Sequence, residues 1–173
     1  MKSLVLLTCV LTLCVGVSFS QVKQEGVING KYKTFLLDNG DVKYVKYNKK
    51  ETTLFIYNLD NSLWKTVKLS LPKNHLLDEV KQISIKTFNK DTLAEIVYSC
   101  VVYDYLSDGD GFSVKTSFTL NIINETGDIL LKVPGSNSFD IIESKGAKKL
   151  LVYKHFGEGF DEQDKTIVYS LPD

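Results

Sequence analysis

Arginine is absent from this chain. All 21 of its basic residues are lysine, and 21 acidic residues balance them to zero net charge. Arginine supplies the forked donor geometry that matches phosphate and carboxylate, so sites built on it for nucleotides or nucleic acid are excluded. A balanced charge leaves no long-range field to steer the molecule onto DNA or an anionic membrane. Cysteine is nearly as scarce: Cys9, Cys14 and Cys100 are the whole complement, with two histidines and one tryptophan. Neither His75 nor His155 has a nucleophile or metal-ligand motif around it. No cofactor motif is present, and no segment has the periodicity of an amphipathic helix of ordinary length.

The one long apolar run is Leu4–Val17, preceded by Met1-Lys2-Ser3 and followed by Ser18-Phe19-Ser20. It is shorter than the roughly 20 residues a membrane span needs. Small residues at −3 and −1 before Gln21 complete the pattern of a cleaved secretory signal peptide over 1–20. Neither Cys9 nor Cys14 sits where a lipid-anchor cysteine would. Cleavage before Gln21 removes both, together with Lys2, and leaves one net negative charge and one thiol, Cys100. The mature chain then forms no internal disulfide and is held by its core. The expected location is secreted or periplasmic, with no membrane association after cleavage.

Residues 21–30 read as a flexible N-terminal segment and 31–173 as a single β-rich domain. From Lys31 onward Val, Ile, Thr, Tyr and Phe alternate with polar residues at period two. Turn signals such as Asp38-Asn39-Gly40-Asp41, Asp60-Asn61 and Asn124-Glu125-Thr126-Gly127 separate the runs. They predict an all-β antiparallel meander of about eleven short strands, either propeller-like or two packed sheets. Pro72–Glu79 breaks the alternation and is expected to hold a helical turn. Leu54–Asp60 with Trp64–Pro72 is echoed by Phe118–Glu125 with Ile129–Pro134, and again by Thr166–Pro172. A tyrosine-rich strand precedes each copy. The spacing of roughly 50–65 residues is near that of propeller blades.

The phrases Ile56–Pro72 (IYNLDNSLWKTVKLSLP), Thr87–Ser99 (TFNKDTLAEIVYS), Asn124–Gly135 (NETGDILLKVPG), Lys149–Lys154 (KLLVYK) and Thr166–Pro172 (TIVYSLP) resemble the N-terminal β-rich modules of secreted Bacteroidetes proteins. The resemblance spans most of the mature chain and implies a secreted β-module, with no established catalytic residues to carry over. Those proteins commonly carry a C-terminal sorting domain for type IX secretion. The sequence reaches Asp173 without one, so surface attachment is not part of the expectation.

Candidate sites are few. Trp64, Tyr57 and Tyr105 are the leading ligand-binding candidates, from a larger aromatic set that includes Tyr44, Tyr47, Tyr98, Tyr103 and Tyr153. Aromatics on a rigid sheet stack on sugars or protein partners. Trp64 alternates with Leu63 and Val67, which sets it opposite its strand's apolar face. Asp104, Asp108 and Asp110 could offer oxygens to calcium, but no closing Glu follows at EF-hand spacing, so no metal site is expected. Glu158, Asp161, Glu162 and Asp164 form an acidic stretch that reads as a solvated loop, with Glu158 and Asp161 its only candidate hydrolase acids. Cys100 alternates with Ile96, Tyr98 and Val102, which predicts burial rather than nucleophilic use. Asn124-Glu125-Thr126 fits the glycosylation sequon. The reading is a secreted, non-enzymatic β-rich binding or structural module, its partner a surface glycan or a protein. A carbohydrate-active enzyme or carbohydrate-binding accessory domain, and a small β-barrel carrier of an apolar ligand, are the alternatives.

Overall fold

The computed structural model describes residues 27–108, 111–154 and 164–172, the side chains at 106–108 and 111–112 excepted. Two compact units divide the chain, Met1–Gly30 and Lys31–Asp173. In the first, residues 27–30 are described and exposed. The second holds eleven strands and, among the described residues, no helix.

The strands form three antiparallel sheets, each from consecutive segments of chain. The first comprises β1 (Lys33–Leu36), β2 (Val42–Asn48), β3 (Thr53–Tyr57) and β4 (Leu63–Lys68). The second comprises β5 (Leu76–Ser84), β6 (Glu95–Asp108), β7 (Gly111–Asn124) and β8 (Ile129–Pro134). The third comprises β9 (Ser136–Ser144), β10 (Ala147–Lys154) and β11 (Lys165–Ser170). Short turns join the neighbours of the first sheet, β7 to β8 and β9 to β10, while residues 85–94 connect β5 to β6. Gly40 at φ 88° and Gly127 at φ 93° occupy left-handed positions that a β-carbon would strain.

The second sheet is buried on both faces. Ile96, Tyr98 and Ile123 join Val45, Leu54, Ile56 and Val67 of the first sheet in one apolar cluster. The intervening Val97, Leu120 and Ile122 join Leu150 and Val152 of the third sheet in another. Strand alternation sends successive residues to opposite faces, so Ile96 and Val97 serve different cores.

The all-β antiparallel meander of eleven strands is as expected; of the two arrangements offered, that of two packed sheets is corrected, because hydrogen bonding sorts the strands into three. The sheets are open, so a closed barrel enclosing an apolar ligand has no counterpart in the described residues. The internal repeat falls on equivalent strands. Its copies map to β3–β4, β7–β8 and β11, and the tyrosine-rich strands before them are β2, β6 and β10. Two strands are long rather than short, since β6 and β7 each run 14 residues. The helical turn expected over Pro72–Glu79 is corrected as well, because β5 begins at Leu76. Register shifts at Leu77/Glu79 and Val80/Gln82 insert Asp78 and Lys81 as extra residues in β5. They leave Leu77, Val80 and Ile83 three apart, a helix-like spacing produced by bulges.

Candidate ligand-binding face

The first sheet presents one face to the core and the other away from it. Register places Tyr44 directly opposite Tyr57, Lys46 opposite Phe55, and Leu63 opposite Tyr57 on its other side. All belong to the outer face, since their neighbours Val45, Leu54 and Ile56 are the core residues. Tyr32, just before β1, stands edge-on to both tyrosines, with centroids 6.5 Å from Tyr44 and 5.9 Å from Tyr57. The Lys46 ammonium lies 5.7 Å from the Tyr32 ring centre. Edge-to-face packing of this kind holds the rings in fixed orientation. Tyr32, Tyr44, Phe55 and Tyr57 are half-buried, while Leu36 and Leu63 at the margins are exposed. Among the described residues the three tyrosine hydroxyls have no hydrogen-bond partner. The face therefore combines fixed aromatic carbon surface with free donor–acceptor groups and a cation.

Of the three leading sequence candidates this face contains Tyr57 alone, joined by Tyr44 from the larger aromatic set. Trp64 is placed differently. The register shift between Ile56/Lys65 and Tyr57/Leu63 makes it the extra residue of a bulge in β4. The bulge shifts the alternation by one, and Trp64 packs against the core shared with the second sheet. The Lys43 ammonium lies 4.8 Å over its ring and also donates to Asn58 Oδ1 at 2.9 Å. The reading that set Trp64 opposite the apolar face is thereby corrected. Tyr105 stands elsewhere again, 77% exposed on the two-stranded continuation of β6 and β7 beyond their neighbours. Tyr32 was missed as a site residue, although its alternation with Thr34 and Leu36 was the available signal.

Asp104 is exposed and faces Lys115 across the hairpin. The side chains of Asp108 and Asp110 lie outside the described residues, as do Glu158, Asp161, Glu162 and His155, while Asp164 is exposed. Among the described residues no group of three His, Cys, Asp or Glu could hold a metal ion. His75 Nδ1 lies 3.0 Å from the Lys73 carbonyl in a turn. Asn124 is buried, and its side-chain oxygen accepts from the Thr126 and Asp128 backbone, so the sequon amide is engaged in the turn.

Four of the described carboxylates, Glu95, Asp38, Glu125 and Glu79, are committed to structure. Glu95 is fully buried and accepts from Ser84 Oγ and from the backbone N–H of Thr87, Phe88 and Asn89 at 2.7–2.9 Å. Asp38, on the turn after β1, caps the same loop by accepting from Ile85 N, Lys86 N and Thr87 Oγ1. Burial pushes its pKa up, but these hydrogen bonds outweigh it and the net shift is downward. Glu125 accepts from Lys65 Nζ at 2.7 Å and Ala94 N at 2.9 Å. It too is lowered despite burial, chiefly by the Lys65 hydrogen bond. Glu79 accepts from Lys33 at 2.6 Å and Lys81 at 2.7 Å, which bring it down to about 2. It rims two shallow clefts of about 300 and 310 Å³, between β5 and β9 and between β1 and β5. Asp38, Glu79 and Glu125 are thus all shifted downward.

No protein-family model, characterised protein or solved structure matches this chain.

Proposed function

We propose that this chain is a secreted, non-enzymatic carbohydrate-binding module whose ligand lies on the outer face of the first sheet. The carrying observation is the Tyr32–Tyr44–Tyr57 cluster, ordered on a rigid sheet with free hydroxyls and Lys46 beside it. Sugars offer such a face axial C–H groups for ring contact and hydroxyls for the phenols. The leader-like Met1–Ser20 segment and the resemblance to secreted Bacteroidetes modules support export. A glycosidase needs a carboxyl held protonated near neutrality. The described carboxyls with shifted pKa values all move the other way, which favours binding over hydrolysis.

The test is a glycan array followed by calorimetry on the best hits. Tyr44→Ala and Tyr57→Ala should each weaken binding about tenfold, the equivalent of about 1.4 kcal/mol. Tyr105→Ala should leave affinity unchanged. Undiminished binding in a Tyr44→Ala/Tyr57→Ala double variant would remove this face from consideration. Turnover of the bound glycan would replace the proposal with the enzymatic alternative.

A further inference from the structure

Sheet edges are where chains join, and natural proteins blunt them with short strands, charges, prolines or bulges. The three sheets have six edge strands: β1, β4, β5, β8, β9 and β11. β1 is four residues long. The other edges, β11 excepted, each contain a bulge with the extra residue on the edge strand itself. These extra residues are Trp64 in β4, Asp78 and Lys81 in β5, Leu130 in β8 and Asn137 in β9. β11 has no such device. Its register with β10 is unbroken over six residue pairs, it contains no proline, and its one charged residue is Lys165 at its start.

The same edge lacks a neighbour that its counterparts have. In the first two sheets the third strand is covered by a fourth, which buries Val67 and Val133 against the cores. Among the described residues no strand covers β11, and Ile167, Tyr169 and Leu171 remain half-buried while Val168 is 58% exposed.

We propose that β11 is a self-pairing edge through which two copies of this chain join antiparallel, centred on Val168. The strand's sequence is self-complementary in that register. Val168 meets its own copy on the outer face. Ile167 meets Tyr169 on the inner face, in both directions, and Thr166 meets Ser170. Aromatic–β-branched and hydroxyl pairs are favourable cross-strand partners. Lys165 falls at opposite ends of the two-fold pair, so no like charges oppose each other. A two-fold axis through Val168 closes the assembly at two copies. The pairing is short and falls at the small end of specific interfaces, which sets an expected dissociation constant of about 10–100 µM.

Sedimentation velocity across that range on the purified protein should show a monomer–dimer equilibrium. Val168→Lys and Val168→Asp each place like charges directly opposite one another and should yield monomers. Both alter a mainly exposed side chain, so Trp64 emission should stay native and confirm folding. An equimolar mixture of the two variants should associate more strongly than either alone, because opposite charges then meet. A wild-type protein monomeric throughout, a dimer that persists in both variants, or a mixture no better than its parts would each overturn the proposal.

Discussion

Glu95 is the side chain on which the β5–β6 connection depends. Its carboxylate has no exposed surface and receives four donors, three of them backbone amides of the loop it organises. Glu95→Gln keeps the volume but turns an amide nitrogen toward some of those donors. Hydrogen bonds to a charged acceptor are worth about 1.5–3 kcal/mol each, and stranding a buried donor costs a similar amount. We expect a loss of about 3 kcal/mol in urea unfolding; a loss below about 1 kcal/mol would show that the loop holds itself. Asp38 ties the same loop from the neighbouring sheet, and its effect is pH-dependent. Its carboxyl is lowered in the folded state, so its stabilisation is fully present above the unfolded value and disappears as pH falls through the folded one. The Ile85 and Lys86 amide resonances should therefore titrate together with a midpoint below 3.8, the unperturbed value. A midpoint above it would mean that burial wins. Cys100 is buried with Sγ 3.6 Å from Asn121 Nδ2, and burial pushes its thiol pKa up. It should resist thiol reagents at pH 7 until the protein is unfolded.

Bulges decide where the sequence can be read at the level of the strand. Val42–Asn48 and Thr53–Tyr57 pair without a break, and alternation and turn residues alone locate them to within one residue at each end. In Leu76–Ser84 two inserted residues erase that period, and the strand looks like a loop with a helical turn. In Leu63–Lys68 one inserted residue is enough to reverse the face assigned to Trp64. Burial on both faces removes a second cue. Alternation puts Cys100 among Ile96 and Tyr98, but Val97 and Val101 are equally buried, and no single strand announces that a sheet lies on each side. The aromatic face was legible only in part, because the meeting of Tyr32 with Tyr44 and Tyr57 depends on register between strands. The corrected position of Trp64 makes it an internal reporter of the core between the first two sheets. Its emission should be blue-shifted and weakly quenched by acrylamide, and glycan binding on the opposite face should leave it unchanged. A ligand-dependent shift would relocate the site.

For the molecule as a whole, the second sheet is a member of both hydrophobic clusters, and this couples them. Ile56→Ala, in one, and Ile122→Ala, in the other, should each cost about 2–5 kcal/mol. Each should shift a single cooperative transition rather than unfold one cluster alone. Calorimetry resolving two transitions would refute the coupling. N-terminal sequencing of exported protein should begin at Gln21, and a start at Met1 would refute cleavage of a signal peptide. The construction of each sheet from consecutive strands has a further consequence for a chain made from one end. Every hairpin closes locally, so the loop-closure entropy of each step is small. The first sheet can form before the second has emerged, and its apolar face is then a template on which the second condenses. The second in turn offers Val97, Leu120 and Ile122 to the third. The topology thus permits assembly in chain order, one sheet after another. A chain interrupted after Pro134 would be left with that last template bare and sticky.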